Sequence, residues 1–191
     1  WVLLMQRAEI TRMPEYDETV VLKSWPGRTM HLLFPRYASL ETASGEPLLK
    51  ASALWSLVDA ETRRVVFPEK VGVEIEGVVT GEEIAMPSSV RRADCTDAQD
   101  FTVPYSFVDL NGHMNNTRYL DWVCDLLPSE FHREHPLREF TVCYLSEATE
   151  GQEIDLCWQL TDGPVLQVDG RREKTNVPRD YDRVFSAQLC F

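Results

Sequence analysis

The sequence repeats itself weakly at a constant offset of 134 residues. The aligned pairs are Leu3 with Leu137, Ile10 with Tyr144, Ser52 with Ser186, Ala53 with Ala187, and segment 17–22 with segment 151–156. Each half then follows the same order of a strand, a turn with Gly or Asp, a second strand, a longer loop and further strands. A repeat that holds at one offset over most of both halves predicts two similar units in one chain.

Hydrophobic periodicity predicts a chain made mostly of strands. The expected strands lie near 2–13, 17–25, 28–40, 47–59, 101–108, 138–147, 152–161, 164–172 and 182–191. One helix is expected at about 115–127, with Asn115 or Asn116 as its N-cap and Pro128 ending it. A single helix in a unit of about 90 residues indicates a sheet wrapped around that helix.

The predicted domain boundaries follow from this pattern. We expect a first unit at 1–67, an acidic linker at 68–100 and a second unit at 101–191. At the repeat offset, the helix of the first unit would precede residue 1. The chain also opens inside an apolar run at Trp1, without Met, so we expect an N-terminal piece to be missing.

Charge and cysteine content narrow the function classes. A net charge of −12 opposes binding to nucleic acid or to an anionic membrane surface. No apolar run reaches the ~20 residues that a membrane-spanning helix needs. The five cysteines are scattered, without a CxxC pair, which argues against a disulfide framework or a zinc site and suits a reducing compartment. We expect no cofactor and no metal.

The segment before the predicted helix carries the residues with the most chemistry. Asp109, Asn111 and His113 alternate in an extended junction that contains Gly112, so their side chains can point to one side. Hydrolysis of a thioester needs a proton-handling group, an amide donor and a site for the oxyanion, where backbone N–H groups near a helix start help. Turn formation and helix capping explain the same residue types equally well.

The motif itself resembles the active-site signature of plant and bacterial acyl-acyl-carrier-protein (acyl-ACP) thioesterases. That signature reads Asp-x-Asn-x-His-Val/Met-Asn-Asn-x-Lys/Arg-Tyr, and residues 109–119 match all its fixed elements. The first half also resembles the family, with Ile10-x-Arg12-x-Pro14, with Val20 to Trp25, and with Ala51 to Trp55 followed by Thr62-Arg63-Arg64. The resemblance implies an α+β tandem hotdog fold, in which two antiparallel sheets each wrap a central helix, the first helix missing here.

The resemblance also implies the site residues. The family places a further acidic residue about 34 positions after the histidine, which is Glu147 here. A cysteine beside that acid has been regarded as a nucleophile, but this chain has Ala148 there, and Cys143 lies four residues earlier. We therefore expect Glu147 to activate a water molecule, Asn111 and His113 to position it or to polarise the carbonyl, and Asp109 to fix the imidazole. Direct attack by Asp109, giving an anhydride, stays open.

Other residues are candidates for binding the substrate. Gly112, Asn115 and Asn116 belong to the motif, and Trp25, Phe34 and Trp55 are aromatic residues of the first half that suit an acyl channel. Basic residues that suit an acidic carrier and its phosphopantetheine arm are Arg91, Arg92, Arg171, Arg172 and Lys174. Structural core and solvated surface are the competing interpretations.

The predicted function is hydrolysis of fatty acyl-ACP to free fatty acid and acyl carrier protein, with a homodimer left open. The alternatives are an acyl-CoA thioesterase of the same fold, a hotdog dehydratase, and a non-catalytic acyl-binding module. The motif argues against the last two. The resemblance implies the bacterial cytoplasm, with the plastid stroma as the alternative.

Overall fold

The structure is a computed structural model that describes residues 1–73, 82, 84–174 and 180–191. Its strands are β1 (Val2–Ile10), β2 (Val20–Pro26), β3 (Phe34–Thr42), β4 (Pro47–Ser56), β5 (Asp97–Thr102), β6 (Glu139–Tyr144), β7 (Glu153–Thr161), β8 (Val165–Glu173) and β9 (Tyr181–Cys190). Its helices are α1 (Pro68–Val71), α2 (Arg118–Asp125) and α3 (Ser129–Glu134), and Tyr105–Phe107 form a 3-10 turn. None of the described helices is both long and apolar enough to cross a membrane.

The chain divides into two compact units. The first unit comprises Trp1–Ser88 with Arg138–Thr141, and the second comprises Ser89–Leu137 with Val142–Phe191. Strand β6 supplies residues to both, because the division falls after Thr141.

The first unit is a sheet with the strand order β2-β3-β4-β1-β6. The pairs β2–β3, β3–β4 and β1–β4 are antiparallel. Alternate residues of β3 turn inward, so that Pro35, Tyr37 and Ser39 are buried while Arg36 between them is exposed. The one helix in the described part of this unit is the four-residue α1, and Tyr37 packs instead with Trp25 and Ile84.

The second unit has the strand order β6-β9-β8-β7-β5 and a helix packed on the sheet. Helix α2 buries Tyr119, Trp122 and Val123. The ring of Tyr119 lies 4.9 Å from the ring of Phe185 in β9, and the ring of Trp122 lies 5.1 Å from that of Phe101 in β5. These contacts stabilise the sheet around the helix by burying apolar side chains, and they confirm the hotdog fold predicted from the sequence.

Some of the predicted elements are displaced. The strand expected at 101–108 is β5 at Asp97–Thr102, because Pro104 begins a 3-10 turn. The strand expected at 28–40 begins only at Phe34, since hydrogen bonds between Met30 and Leu33 close a turn before it. Helix α2 begins at Arg118, three residues after the expected start.

The expectation of no disulfide was wrong. Cys95 and Cys157 are joined by a disulfide whose Cα atoms are 4.9 Å apart. The chain before β5 stays against β7, where the N–H of Thr96 donates to the carbonyl of Trp158 at 3.1 Å, and Cys95 comes next to Cys157 there. The two cysteines are 62 residues apart in sequence and meet because the chain leading into β5 lies beside β7.

Candidate active site

Residues 108–114 form a closed loop just before helix α2. The backbone N–H of Asp109 donates to the carbonyl of His113 at 2.9 Å, and the N–H of Gly112 donates to the carbonyl of Asp109 at 3.0 Å. Gly112 has a φ of 80°, a left-handed conformation that favours glycine. The loop therefore takes its shape from its own backbone bonds and from this glycine.

The carboxylate of Asp109 also shapes this loop. Its Oδ1 accepts the backbone N–H of Asn111 at 2.8 Å, which is the bond of an Asx turn. The sequence predicts that Asp109 fixes the imidazole of His113, but this carboxylate oxygen binds the backbone of Asn111 instead. The backbone N–H groups of Asn111 and Gly112 are both engaged within the loop, so the expected oxyanion donors near Gly112 are already used.

The imidazole of His113 faces Glu147. Nε2 of His113 lies 3.2 Å from Oε2 of Glu147, within hydrogen-bonding distance. The His113 side chain is 26% exposed and that of Glu147 is 48% exposed, so water reaches the pair. The structure thus brings together the motif histidine and the acid that the family resemblance placed 34 residues later.

The two motif asparagines before helix α2, Asn115 and Asn116, form hydrogen bonds within the protein. Oδ1 of Asn115 accepts the N–H and the hydroxyl of Thr117, at 3.0 and 2.8 Å. The carbonyl of Asn116 accepts the hydroxyl of Tyr144 at 3.0 Å. Asn115 therefore orders the turn before α2, and Thr117 rather than Asn115 or Asn116 is the N-cap residue. Among the predicted motif residues, Asn111 and Gly112 lie exposed at the loop surface.

The backbone next to Glu147 is held by the motif. The carbonyl of the buried Ala148 accepts the N–H of Met114 at 2.7 Å. The Tyr119 hydroxyl forms a hydrogen bond with the backbone of Ala148; burial raises the pKa of this hydroxyl to about 12, although that bond acts in the opposite direction. Tyr119 had been given no role from the sequence. Tyr119 is a fixed element of the motif, and this was the sequence signal for a role. In the structure its hydroxyl holds the backbone next to Glu147.

The aromatic candidates of the first unit separate into core and cavity. Trp25 is 6% exposed and packs with Tyr37 and Ile84 in the core of the first unit. Trp55 lines a cavity of about 330 Å³ in the first unit. The other residues that line this cavity are Trp1, Pro26, Phe34, Pro35 and Arg36.

The basic candidates also separate. Arg91 and Arg92 are exposed and form no ion pair within the described residues. Arg171 binds Asp155 at 2.6 Å, and Lys174 binds Asp180 at 2.7 Å, so both charges are compensated locally. The candidates for contacting an acidic carrier therefore narrow to Arg91 and Arg92, since Arg172 also turns toward the protein.

The cysteine thiols and the clusters of acidic residues were the other candidates for reactive or metal-binding groups. Cys143 is buried in β6, and burial raises the pKa of the Cys124 thiol, which makes the thiolate less available there. Within the described ranges, no three His, Cys, Asp or Glu side chains converge as a metal site requires. The His113–Glu147 pair is thus the arrangement that can move a proton.

Comparison with known proteins identifies the family of the chain. The model of the acyl-ACP thioesterase N-terminal domain matches residues 1–75, and that of the acyl-ACP thioesterase C-terminal domain matches residues 90–180. A chloroplastic dodecanoyl-[acyl-carrier-protein] hydrolase of Cinnamomum camphora is 27% identical over 162 residues, covering 78% of this chain and 41% of the relative. The chain thus spans about two fifths of the length of the curated relatives it matches.

Solved structures share the fold. An acyl-ACP thioesterase from Bacteroides thetaiotaomicron superposes with a TM-score of 0.87 at 22% identity, over 100% of this chain and 76% of that one. The 12:0-ACP thioesterase from Umbellularia californica gives a TM-score of 0.80 at 22% identity, over 99% and 74%.

Fold and site together define a hotdog protein with a histidine–glutamate pair next to the loop that leads into helix α2. The two family models between them match nearly the whole chain. The chain belongs to the acyl-ACP thioesterase family.

Proposed function

We propose that this protein hydrolyses fatty acyl-ACP thioesters to free fatty acid and acyl carrier protein. The observation that carries this proposal is the 3.2 Å contact between Glu147 and His113, the histidine of the family's motif. Family membership supplies the substrate class, because the matched relatives are named as hydrolases of acyl carrier protein thioesters.

The proposed reaction uses water as the nucleophile. Glu147, bound to His113 and open to solvent, accepts a proton from the attacking water. The exposed Asn111 amide and the imidazole polarise the thioester carbonyl, since the loop's backbone N–H groups at 111 and 112 are engaged. The tetrahedral intermediate then collapses, the carbon–sulfur bond breaks, and the proton passes to the phosphopantetheine thiolate.

The engagement of Asp109 favours this route over an anhydride. One of its carboxylate oxygens already accepts the backbone N–H of Asn111, and this bond fixes the loop. Attack by Asp109 on the thioester would draw charge away from that oxygen and weaken the turn. The carboxylate of Glu147 instead lies 3.2 Å from Nε2 of His113, where it can accept a proton from water.

The substrate's two ends have separate proposed sites. Arg91 and Arg92 form a local positive patch on a chain of net charge −12, which suits an acidic carrier or the phosphate of its arm. The apolar chain has a proposed site in the first-unit cavity beside Trp55 and Phe34.

The test compares carriers and removes the base. Hydrolysis of acyl-ACP and acyl-CoA of equal chain length is measured with the full-length protein, and a higher kcat/KM on acyl-ACP is expected. Equal or higher kcat/KM on acyl-CoA would replace the proposed substrate with acyl-CoA. No release of thiol from either carrier would refute thioester hydrolysis.

Glu147→Gln tests the assigned base. The variant keeps size and hydrogen bonding but cannot accept the proton, so kcat should fall about 10²–10⁴-fold with little change in KM. Glu150→Gln, an exposed carboxylate of the same connection, is the matched control and should keep wild-type kcat. A folded Glu147→Gln enzyme that retains more than about a third of wild-type kcat would contradict the assignment.

A further inference from the structure

The connection between β6 and β7 carries Glu147. Arg172 of β8 forms hydrogen bonds with three residues of this connection. Nη1 of Arg172 donates to the carbonyl of Glu147 at 3.1 Å and to Oε1 of Gln152 at 3.0 Å. Nη2 donates to Oγ of Ser146 at 2.9 Å. One guanidinium thus binds the residue before Glu147, Glu147 itself and the last residue of the connection.

The direction of Arg172 follows from the geometry of β8. A shift in the pairing of β8 with β9 falls between Gly170 and Arg171, and such irregularities re-aim the side chains that follow them. Arg171 turns to Asp155 of β7 and stacks over the ring of Tyr181. Arg172, the next residue, points to the other face and meets the connection.

Gln152 extends the contact across the connection. The same Oε1 that accepts from Arg172 also accepts the backbone N–H of Thr149 at 3.2 Å. On the other side of Glu147, the backbone of Ala148 is held by Met114 and by the Tyr119 hydroxyl. The Glu147 backbone is therefore fixed from two sides, by Arg172 at its own carbonyl and by motif residues at its neighbour.

Fixing the backbone matters because the Glu147 side chain is half exposed. An exposed glutamate has several open rotamers, and its carboxylate reaches His113 only while its Cα stays within reach. A shift of about 1 Å in such a group can cost about 10²-fold in rate.

We infer that Arg172 is a positioning residue, which holds the Glu147 backbone so that the carboxylate meets His113. This inference rests on the proposed role of Glu147 in thioester hydrolysis. Arg172 touches neither substrate nor water in this role, and it acts through the connection it binds.

The test begins with two substitutions of Arg172 and a neighbouring control. Arg172→Met removes all three bonds and should lower kcat by about 10–100-fold, with KM within about threefold of wild type. Arg172→Lys keeps the charge and one donor, and it should recover part of the loss. Arg171→Met breaks the ion pair with Asp155 on the same strand and should keep kcat within about twofold, even where its Tm falls.

A double-mutant cycle separates positioning from a general structural effect. In a Glu147→Gln background, Arg172→Met should change the residual kcat by less than about threefold, because the group it positions is already lost. A further 10-fold loss in the double variant would overturn the inference, and so would a folded Arg172→Met enzyme with wild-type kcat. Where Arg172→Met does not fold, Arg172→Lys is compared in the same cycle.

The two proposals fail in different ways. A wild-type protein that cleaves no thioester refutes the proposed function, and the structural part of the inference is then tested by crystallography of Arg172→Met. Loss of the 3.2 Å contact between Nε2 of His113 and Oε2 of Glu147 would support the positioning role. An unchanged contact would overturn it.

Discussion

Gly170 lies under the ring of Phe185, and replacing it with alanine should destabilise the second unit. A Cβ at this position would lie 1.9 Å from Cε1 and 2.3 Å from Cδ1 of Phe185. Ordinary contact begins at 3.4 Å, so the ring would have to move by about 1.5 Å. Phe185 is fully buried and packs against Tyr119, so the ring has no open space to move into.

The expected size of the effect follows from two opposing contributions. Overpacking a close-packed interior costs about 1–3 kcal/mol, and the immobile ring places this site at the upper end of that range. Loss of unfolded-state entropy on changing glycine to alanine stabilises by about 0.4–1 kcal/mol, since φ at Gly170 is compatible with alanine. The free energy of unfolding should therefore fall by about 2 kcal/mol and Tm by about 4–8 °C.

Urea unfolding followed by tryptophan fluorescence measures this change. Gly163→Ala is the matched control, because a Cβ there meets nothing within 4 Å and the same entropy gain applies. The double variant Gly170→Ala with Phe185→Leu should be less unstable than the two single losses added together, since the smaller side chain relieves the overlap. A Gly170→Ala protein as stable as Gly163→Ala would refute the predicted steric overlap.

Two further predictions concern ionisable groups. The pKa of Tyr119 is about 12 in the folded protein and about 10 in the unfolded chain. Its contribution of about 2–3 kcal/mol to the free energy of unfolding is therefore present below pH 10 and is lost as pH rises towards 12. Urea unfolding of Tyr119→Phe should show a smaller loss of stability over that pH interval, and an equal loss would contradict this prediction. Substituting the three cysteines outside the disulfide, Cys124, Cys143 and Cys190, with alanine should leave kcat within a few-fold of wild type. Loss of activity in a folded Cys143→Ala protein would instead indicate a thiol nucleophile.

Hydrophobic periodicity in the sequence predicted those strands and helices whose burial pattern is set by the order of their own residues. Alternating burial along β3 and the apolar face of α2 are periodic features, and both elements lie near their predicted positions. The pattern failed at 101–108, where two residues after β5 a proline begins a 3-10 turn. An apolar alternation continues through that turn, and periodicity alone does not mark the break.

The candidate site needed more than local pattern. Glu147 was identified by its distance in sequence from His113, as the family resemblance implies, and the structure places its carboxylate against His113. The contacts of Arg172 and the bond between Cys95 and Cys157 depend on strand register across the sheet, which no short segment encodes. The sequence also does not distinguish the core position of Trp25 from the cavity position of Trp55, because buried and pocket-lining aromatic residues have the same sequence signature.

The residues of the motif shape their own loop and also supply the histidine of the proposed site, so capping and catalysis are compatible interpretations. Asp109 forms the Asx turn that engages the N–H of Asn111, and Asn111 itself is exposed at the surface. Further along, Met114 and Tyr119 bind Ala148 and so hold the backbone that carries Glu147. Eleven consecutive residues, 109–119, therefore supply the histidine and also anchor the acid it meets. A substitution at Tyr119 should for this reason affect kcat without any contact between its side chain and the substrate.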